Sequence, residues 1–201
     1  MCIRDSITNS SFSNSIGKEG GVLKAINGST VMIQLCMFLS NSAEIGGALF
    51  FSQSLSILTD NVFHSNVATG VAQNFVDNHN RPYSFNTALL GGILHTTQNN
   101  SFSNNGEDYY GGAIATYTQS NTTVINCTFT NNTADVLGGA LVSQNGASLW
   151  ITGSTFDNNH GILGGALCII DGRLVELRKG VFYDNTAVTM GGAMYLSLIH
   201  I

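Results

Sequence analysis

The sequence predicts an all-β protein folded as a right-handed parallel β-helix solenoid, with about seven rungs of 26–27 residues. Three observations support this prediction. A Phe-x-x-Asn motif recurs along the chain, a Gly-Gly pair follows the regular copies at a nearly fixed distance, and the residues between them alternate with a period of two. One such unit cannot bury its own apolar face, whereas stacked copies form a continuous core.

The Phe and Asn of one copy are expected to lie over those of the next, because neighbouring strands in a sheet are about 4.8 Å apart. Stacked Phe rings gain aromatic contacts, and stacked Asn amides can donate and accept hydrogen bonds along a ladder. The copies are Phe38/Asn41, Phe63/Asn66, Phe75/Asn78, Phe102/Asn105, Phe129/Asn132, Phe156/Asn159 and Phe182/Asn185, with a shortened copy at Phe12/Asn14.

Glycine pairs mark a second fixed point in each unit. Glycine turns with positive φ at little cost and lets a neighbouring backbone approach closely, so each pair is expected to be a tight turn against which the next turn packs. The pairs are Gly20 and Gly21, Gly46 and Gly47, Gly91 and Gly92, Gly111 and Gly112, Gly138 and Gly139, Gly164 and Gly165, and Gly191 and Gly192.

Two strands per unit follow from columns of equivalent residues. Three places after the first glycine the residues are aliphatic and predicted to face the core: Leu23, Leu49, Leu94, Ile114, Leu141, Leu167 and Met194. The next column is mixed and predicted to face solvent: Lys24, Phe50, His95, Ala115, Val142, Cys168 and Tyr195. Five residues before Phe, a second inward column holds Ile33, Leu58, Val124, Ile151 and Leu177. The segment around Phe-x-x-Asn is predicted to be a shorter, turn-rich third side.

Both ends of the chain carry residues that are foreign to this pattern. Residues 1–6 match the translation of a DNA adapter used in preparing sequencing libraries, and residues 196–201 match the translation of its reverse complement. We therefore expect residues 7–195 to be a single β-helix repeat domain and an internal fragment of a longer protein.

Composition argues against several classes of function. The net charge is −5 with seven Lys and Arg, so no basic stripe is available for nucleic acid. Apart from Cys2, the cysteines do not have the spacing of a zinc site, and Cys168 is predicted to be a free thiol on the outward face. Four histidines occupy different columns without metal-ligand spacing: His64, His79, His95 and His160. No cofactor is expected.

The repeat is irregular near residues 67–108, where either one rung is degenerate or a loop leaves the solenoid. The segment holds the chain's single proline, and a binding loop is a candidate there, with side chains from Asp77, His79, Arg81 and Tyr83. Asp108 and Asp135 both follow a repeat Phe by six residues and are weak candidates for a cation site. A solvated pair of carboxylates without a ligand is the favoured interpretation.

The two motifs together resemble the polymorphic outer-membrane protein repeat family. Phe129 to Asn132 followed by Gly138 to Leu141 is a clean copy, and the resemblance extends over nearly all of residues 7–195. It implies a surface (outer-membrane) or secreted region used for attachment, with a host-cell receptor, extracellular matrix or glycan as partner. Membrane attachment would then depend on regions outside this stretch, and the motif residues would be structural.

Parallel β-helices also include enzymes that cleave acidic polysaccharides, so a polysaccharide lyase or glycoside hydrolase is the alternative. Those reactions need several carboxylates converging on one face. The chain has only twelve Asp and Glu, and their columns predict no such cluster. The sequence therefore predicts a protein that is not an enzyme.

Overall fold

The computed structural model describes residues 4–68, 87–97, 101–103, 106–107, 111–117 and 120–197. Within these ranges all regular elements are β-strands, and the strand pairs are parallel. Parallel pairing between segments about one repeat apart is the geometry of a solenoid. The predicted parallel β-helix is thereby confirmed.

In chain order the strands are β1 (Arg4–Thr8), β2 (Ser11–Ser13), β3 (Ile16–Glu19), β4 (Leu23–Ile26), β5 (Thr30–Gln34), β6 (Met37–Leu39), β7 (Ser42–Ile45), β8 (Leu49–Thr59), β9 (Val62–His64), β10 (Val67–Ala68), β11 (Thr87–Thr97), β12 (Ser101–Ser103), β13 (Gly106–Glu107), β14 (Ile114–Tyr117), β15 (Asn121–Ile125), β16 (Thr128–Thr130), β17 (Thr133–Ala134), β18 (Leu141–Gln144), β19 (Ser148–Thr152), β20 (Thr155–Asp157), β21 (His160–Leu163), β22 (Leu167–Ile170), β23 (Arg173–Arg178), β24 (Val181–Tyr183), β25 (Thr186–Met190) and β26 (Met194–Ser197).

In the part of the chain that the structure describes, three parallel sheets run along the axis of the solenoid. Sheet A has 12 strands and receives up to two from each turn, while β8 and β11 cross it as single long strands. Sheet B has seven strands in the order β2-β6-β9-β12-β16-β20-β24, and each contains the Phe of one repeat. Sheet C has seven strands in the order β25-β21-β17-β13-β10-β7-β3, formed by residues just after the Asn. Seven strands in register correspond to about six full turns.

Left-handed backbone makes the corners on either side of sheet B. Asn, Asp and glycine adopt positive φ more readily than other residues, so turns of this kind favour them. The corner three residues before Phe has φ between 48° and 54° at Asn9, Leu35, Asp60, Asn126 and Lys179. The corner two residues after Phe has φ between 50° and 55° at Asn14, Ser40, Ser65, Asn131, Asn158 and Asp184.

The two inward columns form the core as predicted. Leu141 and Leu167 in the first column and Val124 and Ile151 in the second are fully buried. The residue after Ile151, Thr152, is partly exposed, as alternation along a strand requires.

The column that directly follows the first inward column was predicted to face solvent, and this prediction is wrong in the middle turns. Its members there are at most 1% exposed: Phe50, Ala115, Val142 and Cys168. The backbone of the glycine turn lies over this column, because a Cβ added to Gly138 would come within 3.3 Å of the Cβ of Cys168. Lys24 near the first turn is exposed and Tyr195 in the last is partly exposed. The side chain of His95 is outside the described residues.

The glycine pair at 91–92 is not a turn but part of the continuous strand β11. The register pairs Thr87, not Leu94, with Leu49, so the predicted column was wrong in this rung. The reason is that too few residues separate this glycine pair from the next repeat Phe for it to occupy the usual turn. This pair precedes Phe102 by only eleven residues, whereas Gly111 precedes Phe129 by eighteen.

Much of the predicted irregular region, including the Phe75/Asn78 copy, lies outside the described residues. The turns before and after this region stack directly on each other, because β9 pairs with β12 and β10 pairs with β13. Residues expected to be adapter-derived also extend strands at both ends, since β1 includes residues 4–6 and β26 includes residues 196–197.

Candidate binding surface of the solenoid

The repeat Phe side chains form a column inside the solenoid behind sheet B. The rings of Phe129 and Phe156 have centroids 4.7 Å apart and planes 2° apart, and Phe156 stacks on Phe182 at the same distance. Near the other end, Phe38 stacks on Phe63 at 4.7 Å. The backbone register places Phe102 between Phe63 and Phe129. Phe38, Phe63, Phe129 and Phe156 are fully buried in this column, so these four rings belong to the core and are not available to a ligand.

The repeat Asn side chains form a hydrogen-bonded ladder beside the Phe column. The Oδ1 atom of Asn159 accepts from the backbone N–H of Asn132 at 3.0 Å and from its Nδ2 at 3.0 Å. Nδ2 of Asn159 donates to the carbonyl of Phe129 at 3.1 Å. Asn185 does the same for the Asn159 turn, and Asn66 does it for the turn of Asn41. Asn105 lies outside the described residues.

The glycine pairs inside the solenoid lie so close to the backbone of the next turn that no side chain would fit there. A Cβ on Gly139 would clash with the backbone oxygens of Gly165 and His160. Gly47, Gly112 and Gly165 are surrounded by backbone atoms in the same way. The first glycines have φ between 58° and 67° at Gly46, Gly111, Gly138, Gly164 and Gly191.

The last glycine pair departs from this prediction. Gly191 has the expected positive φ of 67°, but a Cβ on Gly192 would meet only the backbone oxygen of Asn185, at an ordinary contact distance of 3.6 Å. Both glycines are exposed, since no following turn lies over them among the described residues. The predicted close packing was therefore wrong for Gly192, because only a stacked neighbouring turn creates it.

Sequence reasoning missed a second polar column, two residues before each Phe. Asn61 accepts from the backbone N–H of Cys36 at 2.9 Å and donates to the carbonyl of Ile33 at 2.9 Å. The hydroxyl of Ser154 accepts from the N–H of Cys127 at 3.2 Å in the equivalent place. The signal was present in the sequence, because this position holds Ser10, Cys36, Asn61, Cys127 and Ser154 in the copies that the structure describes, although Gly180 breaks the pattern in the last copy.

The predicted ligand sites stay largely untested. Asp77, His79, Arg81 and Tyr83 lie outside the described residues, and so does Asp108.

Asp135 is exposed just after β17. Among the described residues no group of three or more His, Cys, Asp or Glu could hold a metal ion.

Isolated reactive groups are the remaining candidates for chemistry. His160 is exposed, and its Nδ1 lies 2.9 Å from the hydroxyl oxygen of Thr186. Cys36, Cys127 and Cys168 are buried and form no disulfide with one another, and desolvation by burial raises the pKa of the Cys168 thiol to about 12. A thiol held in this state is a poor nucleophile at neutral pH.

The Phe column, the Asn ladder and the glycine turns use the interior and the corners of the solenoid. The outward face of sheet A is therefore the surface that is available to a ligand. Over β15, β19 and β23 it carries hydroxyl groups, two arginines and Trp150, the chain's single tryptophan. No helix in the described ranges has the length and apolar character to cross a membrane.

Stacked Phe columns, an internal Asn ladder and backbone-packed glycine turns define the class of this protein as a repeat-built parallel β-solenoid. Residues 126–144 match the family model described as the Chlamydia polymorphic membrane protein (Chlamydia_PMP) repeat, so this stretch of the solenoid is similar to that repeat. The matched residues include Phe129, Asn132, Gly138 and Gly139. Neither the curated proteins nor the solved structures gave a match to this chain.

Proposed function

We propose that this chain is a surface-exposed or secreted β-helix region with a structural and adhesive role, contacting a host-cell receptor, extracellular matrix or a glycan. The observation that carries the proposal is the separation of roles within the repeat. Phe, Asn and glycine of the motifs occupy the interior and the turns. The outward positions have no such task and can differ from turn to turn without disturbing the fold.

The matched repeat supports a location at the cell surface, because its description names a membrane protein. A long sheet with regularly spaced outward side chains suits contact with an extended partner. The proposed partner classes are extracellular for this reason, and nucleic acid is not among them.

Attachment can be tested with the chain coupled to latex beads and applied to cultured epithelial cells and to matrix-coated wells. We expect saturable bead attachment that excess soluble chain competes away. Beads carrying an unrelated soluble β-protein provide the control. Attachment at the level of the control beads on all surfaces would overturn the adhesive role.

The expectation that the chain is not an enzyme has its own test. Incubation with pectin, alginate and glycosaminoglycans is expected to release no new reducing ends and no unsaturated products. Turnover of any of these polymers, abolished by heat, would favour the polysaccharide lyase or hydrolase instead.

A further inference from the structure

The outward side of sheet A presents a grid of side chains around Trp150. Trp150 lies in the middle of β19, between Thr123 of the preceding turn and Glu176 of the following turn in the parallel register. Two places away along its own strand are Ser148 and Thr152, which point to the same side. All five are partly exposed.

The inward neighbours fix the direction in which Trp150 points. Leu149 and Ile151 are fully buried in the core. Alternation along the strand then holds the indole on the outer face, where it is partly exposed. A large aromatic side chain on the solvent-facing side of a sheet is not needed for the interior packing.

A β-bulge lies directly beside the indole. The register between β19 and β23 shifts between Leu149 and Trp150, so that Leu149 pairs with Leu174 while Trp150 pairs with Glu176. The extra residue in β23 breaks the regular ladder at this one place. Bulges re-aim side chains and are frequent beside functional sites.

Positive charge is concentrated next to this grid in an otherwise acidic chain. Arg173 pairs with Ser148 and Arg178 pairs with Thr152 in the register, and both arginines are exposed. With the exposed Lys179 they supply three of the seven Lys and Arg in a chain of net charge −5.

The acidic groups nearby are Glu176, which forms an ion pair with Arg178, and the exposed Asp171. Three cations against two anions leave the face with a net positive charge. An exposed ion pair is worth little and can be exchanged for a ligand carboxylate.

We propose that this face, called the Trp150 face and comprising Thr123, Ser148, Trp150, Thr152, Arg173, Glu176 and Arg178, binds a carboxylated polysaccharide. The inference rests on the proposed adhesive function and names its ligand class. The apolar face of a sugar ring packs on the indole, and the sugar hydroxyls hydrogen-bond to Ser and Thr. The arginine forks match carboxylates with paired N–H donors.

The dimensions of the face fit a short stretch of polymer. Strands lie about 4.8 Å apart and residues on one side of a strand about 6.6 Å apart, so three strands by five residues cover about 10 by 13 Å. This area accommodates two to three sugar rings, roughly, by the same spacings. A polymer can therefore place one ring on the indole and a neighbouring carboxylate beside an arginine.

The single tryptophan provides a direct reporter for this site. Titration of the whole chain with polygalacturonate oligomers is expected to give a saturable change in tryptophan fluorescence. Neutral dextran is expected to give none, and salt is expected to weaken the binding of the acidic oligomers. Dextran sulfate serves as a polyanion without carboxylates and is expected to bind more weakly.

Variants distinguish specific binding at the Trp150 face from an effect of the chain's net charge on affinity. Calorimetric titration is expected to show at least a tenfold loss of affinity for Trp150→Ala and about a tenfold loss for Arg178→Gln. The matched control Lys24→Gln removes an exposed cation elsewhere on the solenoid and is expected to keep the wild-type affinity. Circular dichroism of each variant checks that the fold is retained.

The outcomes distinguish the ligand class from the adhesive function. An unchanged fluorescence of the wild-type chain, or equal binding of dextran sulfate, overturns the assignment to carboxylated glycans. Equal loss in Arg178→Gln and Lys24→Gln reduces the effect to net charge and also overturns it. If the bead attachment test succeeds while polygalacturonate fails, the ligand assignment falls and the adhesive function stands.

Discussion

The Asn ladder shows how a single side chain can satisfy several backbone groups. Asn159 serves three groups of the turn before it: the N–H and side-chain amide of Asn132, and the carbonyl of Phe129. All of these are in the interior, where water cannot replace the lost partner. The Phe stack beside it contributes packing, and the ladder fixes the register in which one turn lies on the next.

Asn159→Ala is therefore expected to lower the free energy of unfolding by about 2–5 kcal/mol, because it removes three hydrogen bonds from the interior of the solenoid. Chemical denaturation followed by circular dichroism measures the change. Asn121→Ala makes the same chemical change at an exposed position and is expected to stay within about 0.5 kcal/mol of wild type. Equal effects of the two substitutions would contradict the structural role of the ladder.

Leu35 occupies a left-handed corner that suits asparagine better. Its φ is 54° and its side chain is 55% exposed, while Asn9 fills the equivalent corner one turn earlier. Leu35→Asn is expected to stabilise the protein by about 0.5–1 kcal/mol, because leucine is strained in this conformation.

The denaturation midpoint measures that gain. Met32→Asn, on the exposed face of the neighbouring strand, provides the control and is expected to give no gain. A lower midpoint for Leu35→Asn would show that the leucine makes a contact worth more than the strain.

The burial of the Cys168 thiol makes the free energy of unfolding depend on pH. Its pKa is raised from 9.0 to about 12 by desolvation. The unfolded thiol ionises first, so the stability contributed by the neutral buried thiol is complete below pH 9. It is lost as the pH rises toward 12, by about 1.4 kcal/mol per unit.

Between pH 8 and 10.5 the wild type is expected to lose about 2 kcal/mol more stability than Cys168→Val. Valine is the matched replacement because Val142 is the register partner of Cys168 in the preceding turn. Unfolding curves at the two pH values measure the difference. Identical losses in the two proteins would show that the thiol does not couple to folding.

At the scale of the element, the glycine turn decides how closely two turns can approach. Gly139 has backbone of the next turn where a Cβ would be, whereas Gly28 has open space around it. The turn also covers the column of Val142 and Cys168, which explains why that column is apolar in the middle of the solenoid.

Gly139→Ala is expected to destabilise the protein by more than about 3 kcal/mol or to prevent soluble expression, because the clash is with backbone that cannot move alone. Gly28→Ala is expected to cost about 1 kcal/mol, since only its φ of 77° opposes the change. Thermal melts of both variants measure this contrast. Comparable melting temperatures would contradict the close packing of the turns.

At the scale of the whole molecule, stability is a sum over stacked turns and is expected to vary along the axis. Leu141 and Ile151 in the middle are fully buried, whereas Val188 and Met190 in the last turn are 64% and 58% exposed. The central turns therefore have apolar neighbours on both sides, and the last described turn has fewer.

Hydrogen exchange followed by mass spectrometry is expected to show the strongest protection in residues 120–170 and the weakest in the turns at either end. Peptides from β18 and β19 report on the middle and peptides from β25 on the end. Uniform protection along the chain would indicate that the solenoid opens as one cooperative unit instead.

The sequence by itself determined the repeat, its parallel stacking and the two inward columns, because these follow from alternation and from motifs that recur at a fixed spacing. Leu141, Ile151 and Phe129 could be placed in the core on that ground alone.

Only the tertiary structure decided what covers Cys168, which glycines are closely packed and where β11 lies in the register, since all three depend on how a turn folds back over its neighbours. The same holds for the Trp150 face. Its arginines come from the turn after the tryptophan, and a bulge between the two strands, which no spacing in the sequence reveals, sets which side chains meet.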